Sequence, residues 1–373
     1  MVGKRDEGLA SFIEALRVQP GSKVVLAKDF DPSYKADFIK KEDGVELLQR
    51  GVELMAEYQE RLAAQDTYGV LLCLQALDAA GKDGTIRHVM SGVNPQGVTV
   101  SSFKVPSPEE MDHDFLWRYA RALPGRGMIG IFNRSYYEEL LVVRVHPGIL
   151  AGQKLPAAKK DKGIWTRRFR HINDWEAYLA DQGYTIVKLF LNLSKEEQRK
   201  RFLARIDTPE KNWKFSAADV KERAYWDDYQ AAFSDVLSRS STAAAPWYVI
   251  PADNKWYARI VAAGIITDAI IGMDPQFPEV DEAARAALLA SRAELVAEDP
   301  AGAPDPGGAP GSAADAAEPT STAGALADAG TKVDPGSGAA IGDDAKGGAK
   351  KAKGGAKKAK GGKGKGKGGR KGR

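Results

Sequence analysis

A short segment of the chain has the residue types of a phosphate-binding loop. Residues 76–85 read ALDAAGKDGT and lie between an apolar run and a stretch predicted to be helical. Backbone N–H groups of such a loop, together with the positive end of the following helix, attract phosphate. Lys82 adds a movable positive charge there. The segment therefore predicts a phosphate cradle in which Lys82 bridges the phosphates.

The segment departs twice from the usual signature G-x-x-x-x-G-K-[ST]. Ala76 stands at the first glycine, and Asp83 stands where a Ser or Thr would hold Mg²⁺. Asp78 and Asp83 are therefore candidate ligands for Mg²⁺, or for Mn²⁺, because Mg²⁺ accepts one or two carboxylates beside phosphate oxygens and water. Asp78 is also a candidate catalytic residue, as a base or an orienting group, or simply a cap of the following turn. From the motif alone, a helix that happens to begin at Gly-Lys explains the pattern equally well.

A second group of polar residues follows the predicted strand at 127–132. Arg134 comes directly after that strand, where it can neutralise charge on a transferred phosphoryl group. The alternative is a surface arginine that pairs with an acid. In P-loop kinases an acid usually ends this strand and contacts Mg²⁺, but here Asn133 takes that place. Asn133 and Glu138 are expected to contact the catalytic residues and hold them in position, without touching the substrate.

Cations are dense between residues 144 and 171. Residues 147–163 carry no helix or strand pattern, so the region from about 144 to 175 is predicted to be a cationic lid that covers a polyanion and excludes water. Any single one of these cations could instead be a solvated surface charge. The predicted phosphate contacts outside the loop are Lys104, Arg144, Arg167, Arg168 and Arg170.

Alternation of apolar runs with helical patterns places these residues on an α/β fold. It predicts a parallel sheet covered by helices on both faces, with ligands at the carboxyl ends of the strands. Strands are expected at 68–77, 97–105, 127–132, 184–192 and 247–250, and helices at 41–64, 84–92, 108–123, from about 135, at 195–206 and at 255–273. The expected domains are an N-terminal arm (1–41), a P-loop kinase-like catalytic domain (42–275), an extra helix (276–297), a disordered linker (298–344) and a basic tail (345–373).

Charge and composition narrow the function classes. The net charge of the 373 residues is +4, but residues 345–373 hold 11 Lys, 2 Arg and no acid, which leaves −9 for the rest. The single cysteine excludes an internal disulfide framework. The first residues lack an apolar leader, and the apolar stretch 260–273 carries Asp268 and is short for a membrane span. A cytoplasmic protein without membrane contact is expected.

Several long motifs, in order, resemble the polyphosphate kinase 2 family. They are LDAAGKDGTIRHVMSGVNPQGVTVSSFKVPSPEE, GMIGIFNRSYYEELLVVRVHP, WTRRFRHINDWE, KNWKFSAADVKERAYWDDYQ and APWYVIPADNKWYARI, and the similarity spans about residues 18–273. The Asn in FNRSYYEELLVVRVH is similar to the branch called class III, which is associated with phosphorylating both AMP and ADP from polyphosphate. The resemblance implies a thymidylate kinase-like fold with a lid, and a dimer or tetramer. It also implies that Asp78, Lys82 and Arg134 are catalytic and that Gly81, Asp83, Gly84 and Thr85 line the loop and bind phosphate.

The expected function is Mg²⁺-dependent transfer of a terminal phosphoryl group between inorganic polyphosphate and AMP or ADP, in either direction. One alternative is an ATP-dependent nucleoside monophosphate kinase on the same fold. Another is a protein that associates with nucleic acid through its basic tail, since thirteen unopposed charges bind polyanions without sequence preference. The tail could also hold polyphosphate near the site.

Overall fold

The computed structural model describes residues 13–36 and 40–298. Residues up to 293 belong to one compact unit, and of the second unit, from residue 294, the structure describes the end of a helix. The predicted linker beyond residue 298 and the basic tail lie outside the described residues. So do parts of the predicted N-terminal arm.

Five parallel strands form the sheet, which confirms the predicted fold class. They are β1 (Gly69–Ala76), β2 (Val98–Ser102), β3 (Ile129–Asn133), β4 (Tyr184–Asn192) and β5 (Trp247–Pro251). Their order across the sheet is β2-β3-β1-β4-β5, with Leu74 of β1 in register with Asn133 of β3 and Leu189 of β4. Because β1 is central and wholly buried, it reads as a continuous apolar run.

The sequence predicts about half of the helices that the described residues form, and it does not predict the long helices at residues 164–181 and 226–240. The helices are α1 (Leu26–Asp29), α2 (Gly44–Gln65), α3 (Lys82–Val89), α4 (Pro108–Asp112), α5 (Trp117–Ala120), α6 (Val142–Val145), α7 (Pro147–Gly152), α8 (Ile164–Asp181), α9 (Lys195–Ile206), α10 (Ala217–Glu222), α11 (Trp226–Ser240), α12 (Lys255–Gly272) and α13 (Glu282–Glu298). None is long and apolar enough to cross a membrane.

Helices cover both faces of the sheet. Successive side chains of β1 point to opposite faces, and all of them are buried, so each face needs a covering layer. Leu72 and Leu74 point to a core shared with α2 and α12. Leu71 and Cys73 point to a second core, shared with α8 and α11. Burial raises the pKa of the Cys73 thiol to about 12, so this cysteine serves as a packed apolar group.

Three predicted elements were wrong in detail. The helix predicted from about residue 135 is a 3₁₀ turn at Tyr136–Glu139 followed by the four-residue helix α6. The helix predicted at 108–123 is broken, because His113 is extended and Asp114 Oδ1 accepts a hydrogen bond from Leu116 N, which starts α5 afresh. The segment 147–163, predicted without regular structure, contains α7 and a 3₁₀ turn at Ala157–Lys159. Pro147 opens α7, where its missing N–H costs nothing.

The described part of the N-terminal arm is built into both cores: Ile13, Leu16 and Ala36 lie in the first, and Val18, Val24 and Leu26 lie in the second. Val18 N donates to Trp247 O at 2.9 Å, and Leu26 N donates to Ser234 Oγ at 3.1 Å. Val18 and Leu26 are each 1% exposed. Because the arm covers β5 and α11, it stabilises the fold through buried apolar area.

Candidate active site

The phosphate-binding loop lies at the carboxyl end of β1 and leads into α3. Gly81 precedes α3 with a φ of +106°, a conformation that side chains rarely adopt. Ala79 also has a positive φ, +65°. Thr85 N donates to Gly81 O at 2.9 Å, and the Thr85 side chain is buried. The loop therefore holds a tight curve of backbone ahead of the helix, as a phosphate cradle requires.

Lys82 stands at the first position of α3. Its Nζ donates to Ala76 O at 3.0 Å, so the ammonium folds back over the loop. Burial, together with the nearby Arg134 guanidinium, lowers the pKa of the Lys82 ammonium to about 8. Because burial is the main cause, the ammonium has lost its water, and a bound phosphate group would favour its charged form.

Arg134 follows β3 and faces the loop from the neighbouring strand. Its Nη2 lies 2.8 Å from Asp78 Oδ1, and its Nη1 lies 3.2 Å from Glu138 Oε2. Burial would lower the pKa of Arg134, but the carboxylates of Glu138 and Asp78 outweigh it and raise that pKa above its ordinary value. The structure therefore brings Asp78, Arg134 and Glu138 into one charged cluster.

Asn133 and Asp83 form a second polar contact at the same edge. Asn133 Nδ2 donates to Asp83 Oδ1 at 2.8 Å. Asn133 stands where P-loop kinases usually have an acid, and Asp83 stands where they usually have a Ser or Thr. The hydrogen bond between them therefore orients the Asp83 carboxylate. Gly84 follows in α3, and a Cβ built on it would meet Arg259 Nη2 at 3.8 Å.

The donor set fits Mg²⁺. Among the described residues no group of three or more His, Cys, Asp or Glu side chains converges as a metal site. Mg²⁺ needs only one or two carboxylates, since phosphate oxygens and water complete its octahedron. Asp78 and Asp83 each use Oδ1 in the contacts above, and both carboxylates act on Lys82 electrostatically. They are the residues that would hold the ion.

Arg201 of α9 supports the loop from behind, and the sequence analysis missed it. Arg201 is 6% exposed, and its guanidinium donates to four backbone carbonyl oxygens. The acceptors are Ala79 O at 3.1 Å, Ala80 O at 2.8 Å, Ala252 O at 2.6 Å and Asp253 O at 3.1 Å. Arg201 Nε also lies 2.9 Å from Glu197 Oε1, an i,i+4 pair visible in the sequence. That spacing predicts a helix-surface pair, and it gives no sign that the arginine faces the loop.

Gln198 holds the loop one turn away. Its Nε2 donates to Asp78 O at 2.9 Å, and its Oε1 accepts from Arg223 Nη1 at 2.7 Å. Both residues of α9 therefore fix loop carbonyls in place. With the carbonyls tied outward, the loop backbone is preorganised before any ligand arrives.

The predicted lid cations do not gather at this cluster. Arg144 Nη1 lies 2.6 Å from Asp235 Oδ2, and Arg167 Nη2 lies 2.8 Å from Asp161 Oδ1. Arg168 is 4% exposed and pairs with Glu139, so it packs the base of the lid. Arg170 is exposed beside His171, and Lys104 is exposed after β2. Five cations outside the loop were predicted to contact phosphate. Arg168 is the most deeply buried of them, so it is the least accessible to a substrate.

A cavity of about 400 Å³ opens beside the charged cluster. We call it the aromatic cavity, because Trp226, Tyr229 and Phe233 are among its lining residues. Burial and the charge of Asp78 raise the pKa of Asp219 at its rim. Its principal lining residues are Asp78, Arg134, Glu138, Leu141, Val142, Asp219, Glu222, Arg223, Trp226, Tyr229 and Phe233. A flat apolar group bound there would lie next to Arg134.

Comparison with known proteins agrees with this geometry. Residues 38–278 match the family described as Polyphosphate kinase 2. The chain is 51% identical over 284 residues to the ADP-polyphosphate phosphotransferase of Rhodopseudomonas palustris, covering 75% of this chain and 97% of that protein. It is 44% identical over 268 residues to the AMP/ADP-polyphosphate phosphotransferase of Meiothermus ruber, covering 72% of this chain and 96% of that protein.

A solved structure shares the fold. The crystal structure of polyphosphate kinase 2 from Arthrobacter aurescens TC1 superposes with a TM-score of 0.67 at 44% identity, covering 74% of this chain and 96% of that one. The family match extends over well over half of the 373 residues and includes the loop, Arg134 and α9. The chain therefore belongs to the polyphosphate kinase 2 family.

Proposed function

We propose that the protein transfers the terminal phosphoryl group between inorganic polyphosphate and AMP or ADP. The observation that carries the proposal is the position of Arg134, which sits between the phosphate loop and the aromatic cavity and pairs with Asp78. A guanidinium at this position can neutralise the charge on the phosphoryl group during its transfer from a donor on the loop to a nucleotide in the cavity. The names of the relatives from R. palustris and M. ruber support polyphosphate as the donor.

The reaction needs no nucleophilic side chain. A phosphate oxygen of AMP or ADP forms a bond to the terminal phosphorus of the chain, and the bond from that phosphorus to the bridging oxygen breaks. The electron pair leaves with a polyphosphate that is one phosphate shorter. Lys82 and Arg134 reduce the repulsion between the two anions, while the preorganised loop holds the donor in line.

The metal belongs to the proposal as well. Asp78 and Asp83 would hold Mg²⁺, or Mn²⁺, beside the donor phosphates, and the ion would supply positive charge to phosphate oxygens. In that arrangement Asn133 keeps Asp83 oriented, and Arg134 fixes the position of Asp78. Asp78 then acts as an orienting group more than as a base, because its Oδ1 is already engaged by the guanidinium.

The aromatic cavity is the proposed nucleotide site. Trp226 is the half-buried aromatic ring on its wall and could stack on a base, Tyr229 and Phe233 are buried behind it, and Arg134 lies at the phosphate end. Arg223 adds a second cation at the rim. An assembly of two or four copies is also proposed from the family resemblance, and the apolar side chains Val45, Leu47 and Leu54 exposed on α2 would favour it.

A single reaction tests the function. Purified protein is mixed with Mg²⁺, polyphosphate and AMP, without ATP, and ADP and ATP are followed by chromatography. Formation of both supports a donor role for polyphosphate and an acceptor role for AMP and ADP; ADP alone narrows the acceptor to AMP. No product with polyphosphate, but product when ATP replaces it, would leave an ATP-dependent nucleoside monophosphate kinase. Omission of Mg²⁺ and addition of a chelator test the metal in the same assay.

A further inference from the structure

Four charged and phenolic side chains are joined by hydrogen bonds inside the second core. Glu176 of α8 and Lys188 of β4 are fully buried, and Lys188 Nζ lies 2.7 Å from Glu176 Oε2. The hydroxyls of Tyr136 and Tyr137 both donate to Glu176 Oε1, at 2.6 Å and 2.9 Å. None of the four side chains lines the aromatic cavity. We call these four residues the buried tetrad.

The polar atoms of the buried tetrad satisfy one another. Besides its bond to Glu176, the Lys188 ammonium donates to Tyr137 OH at 2.9 Å and to Ser240 O at 2.6 Å. Burial raises the pKa of the Tyr136 and Tyr137 phenols well above the ordinary value, so both hydroxyls keep their protons and act as donors. A buried network whose groups are all paired holds a single arrangement, because breaking any of its bonds leaves a polar group without water.

The consequence of this ion pair is geometric more than energetic. The cost of taking two charges out of water is comparable to their attraction, and apolar residues of the same volume are often as stabilising. Lys188 stands in register with Cys73 of β1 and with Trp247 of β5, at the centre of the sheet. The buried tetrad therefore ties the two phenols to the rigid middle of the sheet.

The two anchored tyrosines lie between the active-site residues Arg134 and Glu138. They open the 3₁₀ turn at Tyr136–Glu139, which follows β3. Arg134 Nη1 lies 3.2 Å from Glu138 Oε2, so the ends of this five-residue segment are paired in the active site while its middle is bonded to Glu176 in the core. The position of the Arg134 guanidinium therefore depends on where the phenols are held.

The backbone of Arg134 needs support from both sides. Its φ of +65° is strained for a residue with a Cβ, and such a conformation persists only where the surroundings impose it. Before the strained residue, β3 supplies one restraint, and Arg134 N donates to Leu74 O at 3.1 Å. After it, the restraint comes from the fully buried Tyr136 and Tyr137. Without their hydrogen bonds the turn can shift, and the strain at Arg134 can relax.

We propose that the buried tetrad positions Arg134 for phosphoryl transfer. Glu176 and Lys188 fix the two phenols, and the phenols fix the turn that follows the arginine. The four are positioning residues, since they act on the reaction through Arg134. This inference rests on the proposed function, in which Arg134 neutralises the transferred group. Since the tetrad does not line the aromatic cavity, it should affect kcat and leave binding of AMP nearly unchanged.

Removal of the phenol hydroxyls tests the inference. Tyr136→Phe removes one hydrogen bond to Glu176, and Tyr136→Phe with Tyr137→Phe removes both, while the rings remain. Tyr119→Phe is the matched control, because Tyr119 is buried in the same core, its ring lies 5.7 Å from that of Tyr136, and its hydroxyl does not donate to Glu176. Each variant is made in the parent chain and in an Arg134→Lys chain. Kinetics with polyphosphate and AMP are measured below the melting temperature of every protein.

In the parent chain, the double variant is expected to lower kcat by roughly tenfold and to change KM for AMP by no more than about twofold, because a misplaced cation acts mainly on the transition state. The single variant should lose less, and the control should lose nothing. In the Arg134→Lys chain, the double variant should lower kcat by no more than about twofold, since the geometry that the phenols hold is already lost. A merely structural role would give the same loss in both chains.

Hydrogen exchange measures the same positioning without relying on activity. Amide hydrogens of residues 134–138 should exchange roughly tenfold faster in the double variant, while those of β4 exchange as in the parent. If the double variant does not fold, the single variant decides, because it removes one hydroxyl only.

The inference is overturned by equal losses of kcat in the two chains, by an unchanged kcat, by an equal loss in the control, or by unchanged exchange at residues 134–138. These outcomes leave the proposed function intact. If the parent protein transfers no phosphoryl group from polyphosphate to AMP, the proposed function itself fails. Hydrogen exchange then decides alone whether the buried tetrad holds Arg134.

Discussion

Arg134 reaches Asp78 at 2.8 Å from a backbone that has a φ of +65°. For a residue with a Cβ, this conformation costs about 1 kcal/mol or more. The surroundings hold it there: Arg134 N donates to Leu74 O at 3.1 Å, and the guanidinium contacts both Asp78 and Glu138. The folded chain therefore fixes the direction of this charge before any substrate binds, at the junction of the loop and the aromatic cavity.

Removing that charge should affect the chemical step more than binding. We expect Arg134→Ala to lower kcat by roughly a hundredfold or more, because a preorganised cation at a phosphoryl-transfer site acts mainly on the transition state. Arg134→Lys should recover part of the loss, since it retains charge without the two-pronged geometry. Steady-state kinetics with polyphosphate and AMP measure this effect. Activity of Arg134→Ala within a few-fold of the parent would rule out the assigned role.

Activity should decline on the alkaline side through the titration of Lys82. The pKa of Lys82 is lowered to about 8, so the charged form is lost as pH rises through that value. We expect kcat/KM for polyphosphate to fall by about tenfold per pH unit above about pH 8. The fall in kcat should begin at higher pH, because bound phosphate favours the ammonium.

The control for this titration is Lys82→Arg. Its guanidinium stays charged throughout, so the alkaline decline should vanish even though the activity itself is lower. A parent profile of kcat/KM that stays flat to about pH 9.5 would exclude Lys82 as the titrating group.

The sequence predicted the fold well where local pattern and tertiary structure agree. β4 was predicted at its observed bounds, because a long apolar run is closed by Gly183 on one side and by the helix-capping Ser194 on the other. The structure places Lys82 and Arg134 together at the phosphate loop, as predicted, because the carboxyl ends of neighbouring parallel strands meet at one edge.

The rest depended on partners that are distant along the chain. Arg144 pairs with Asp235 and Arg168 with Glu139, so each cation has an internal acid that charge density alone does not reveal. Conversely, Arg201 looked like an ordinary helix-surface residue, and its four carbonyl partners belong to two loops brought together only by the sheet order β1-β4-β5. Whether an arginine binds substrate or backbone is decided by tertiary structure.

The basic tail, residues 345–373, should lower KM for long-chain polyphosphate and leave KM for short chains unchanged. Residues 345–373 carry thirteen positive charges and no acid, which would raise the local concentration of a polyanion. We expect their deletion to raise KM for long-chain polyphosphate and leave KM for tripolyphosphate unchanged. Identical KM values with and without the tail would exclude a role in binding polyphosphate. If the truncated protein also fails to bind nucleic acid in a retention assay, the tail is a nucleic-acid-binding segment.

Arg201 should prove to be a positioning residue, one that acts on the reaction through the loop. Replacing it with Met removes a buried guanidinium whose carbonyl partners then lack donors, and we expect this to destabilise the protein by about 2 kcal/mol or more. Arg201→Lys keeps the charge but cannot reach four carbonyls at once, so it should be intermediate in stability.

Kinetics distinguish this role from a merely structural one. At a temperature where every variant is folded, Arg201→Lys should lower kcat by roughly tenfold with little change in KM for AMP, because the donor is held out of line while the aromatic cavity is untouched. The matched control is Arg199→Lys, an exposed residue of α9 paired with Glu196, which should change neither quantity. A fully active Arg201→Lys enzyme with a lower melting temperature would limit this residue to stability. Equal losses in both variants would point to α9 as a whole.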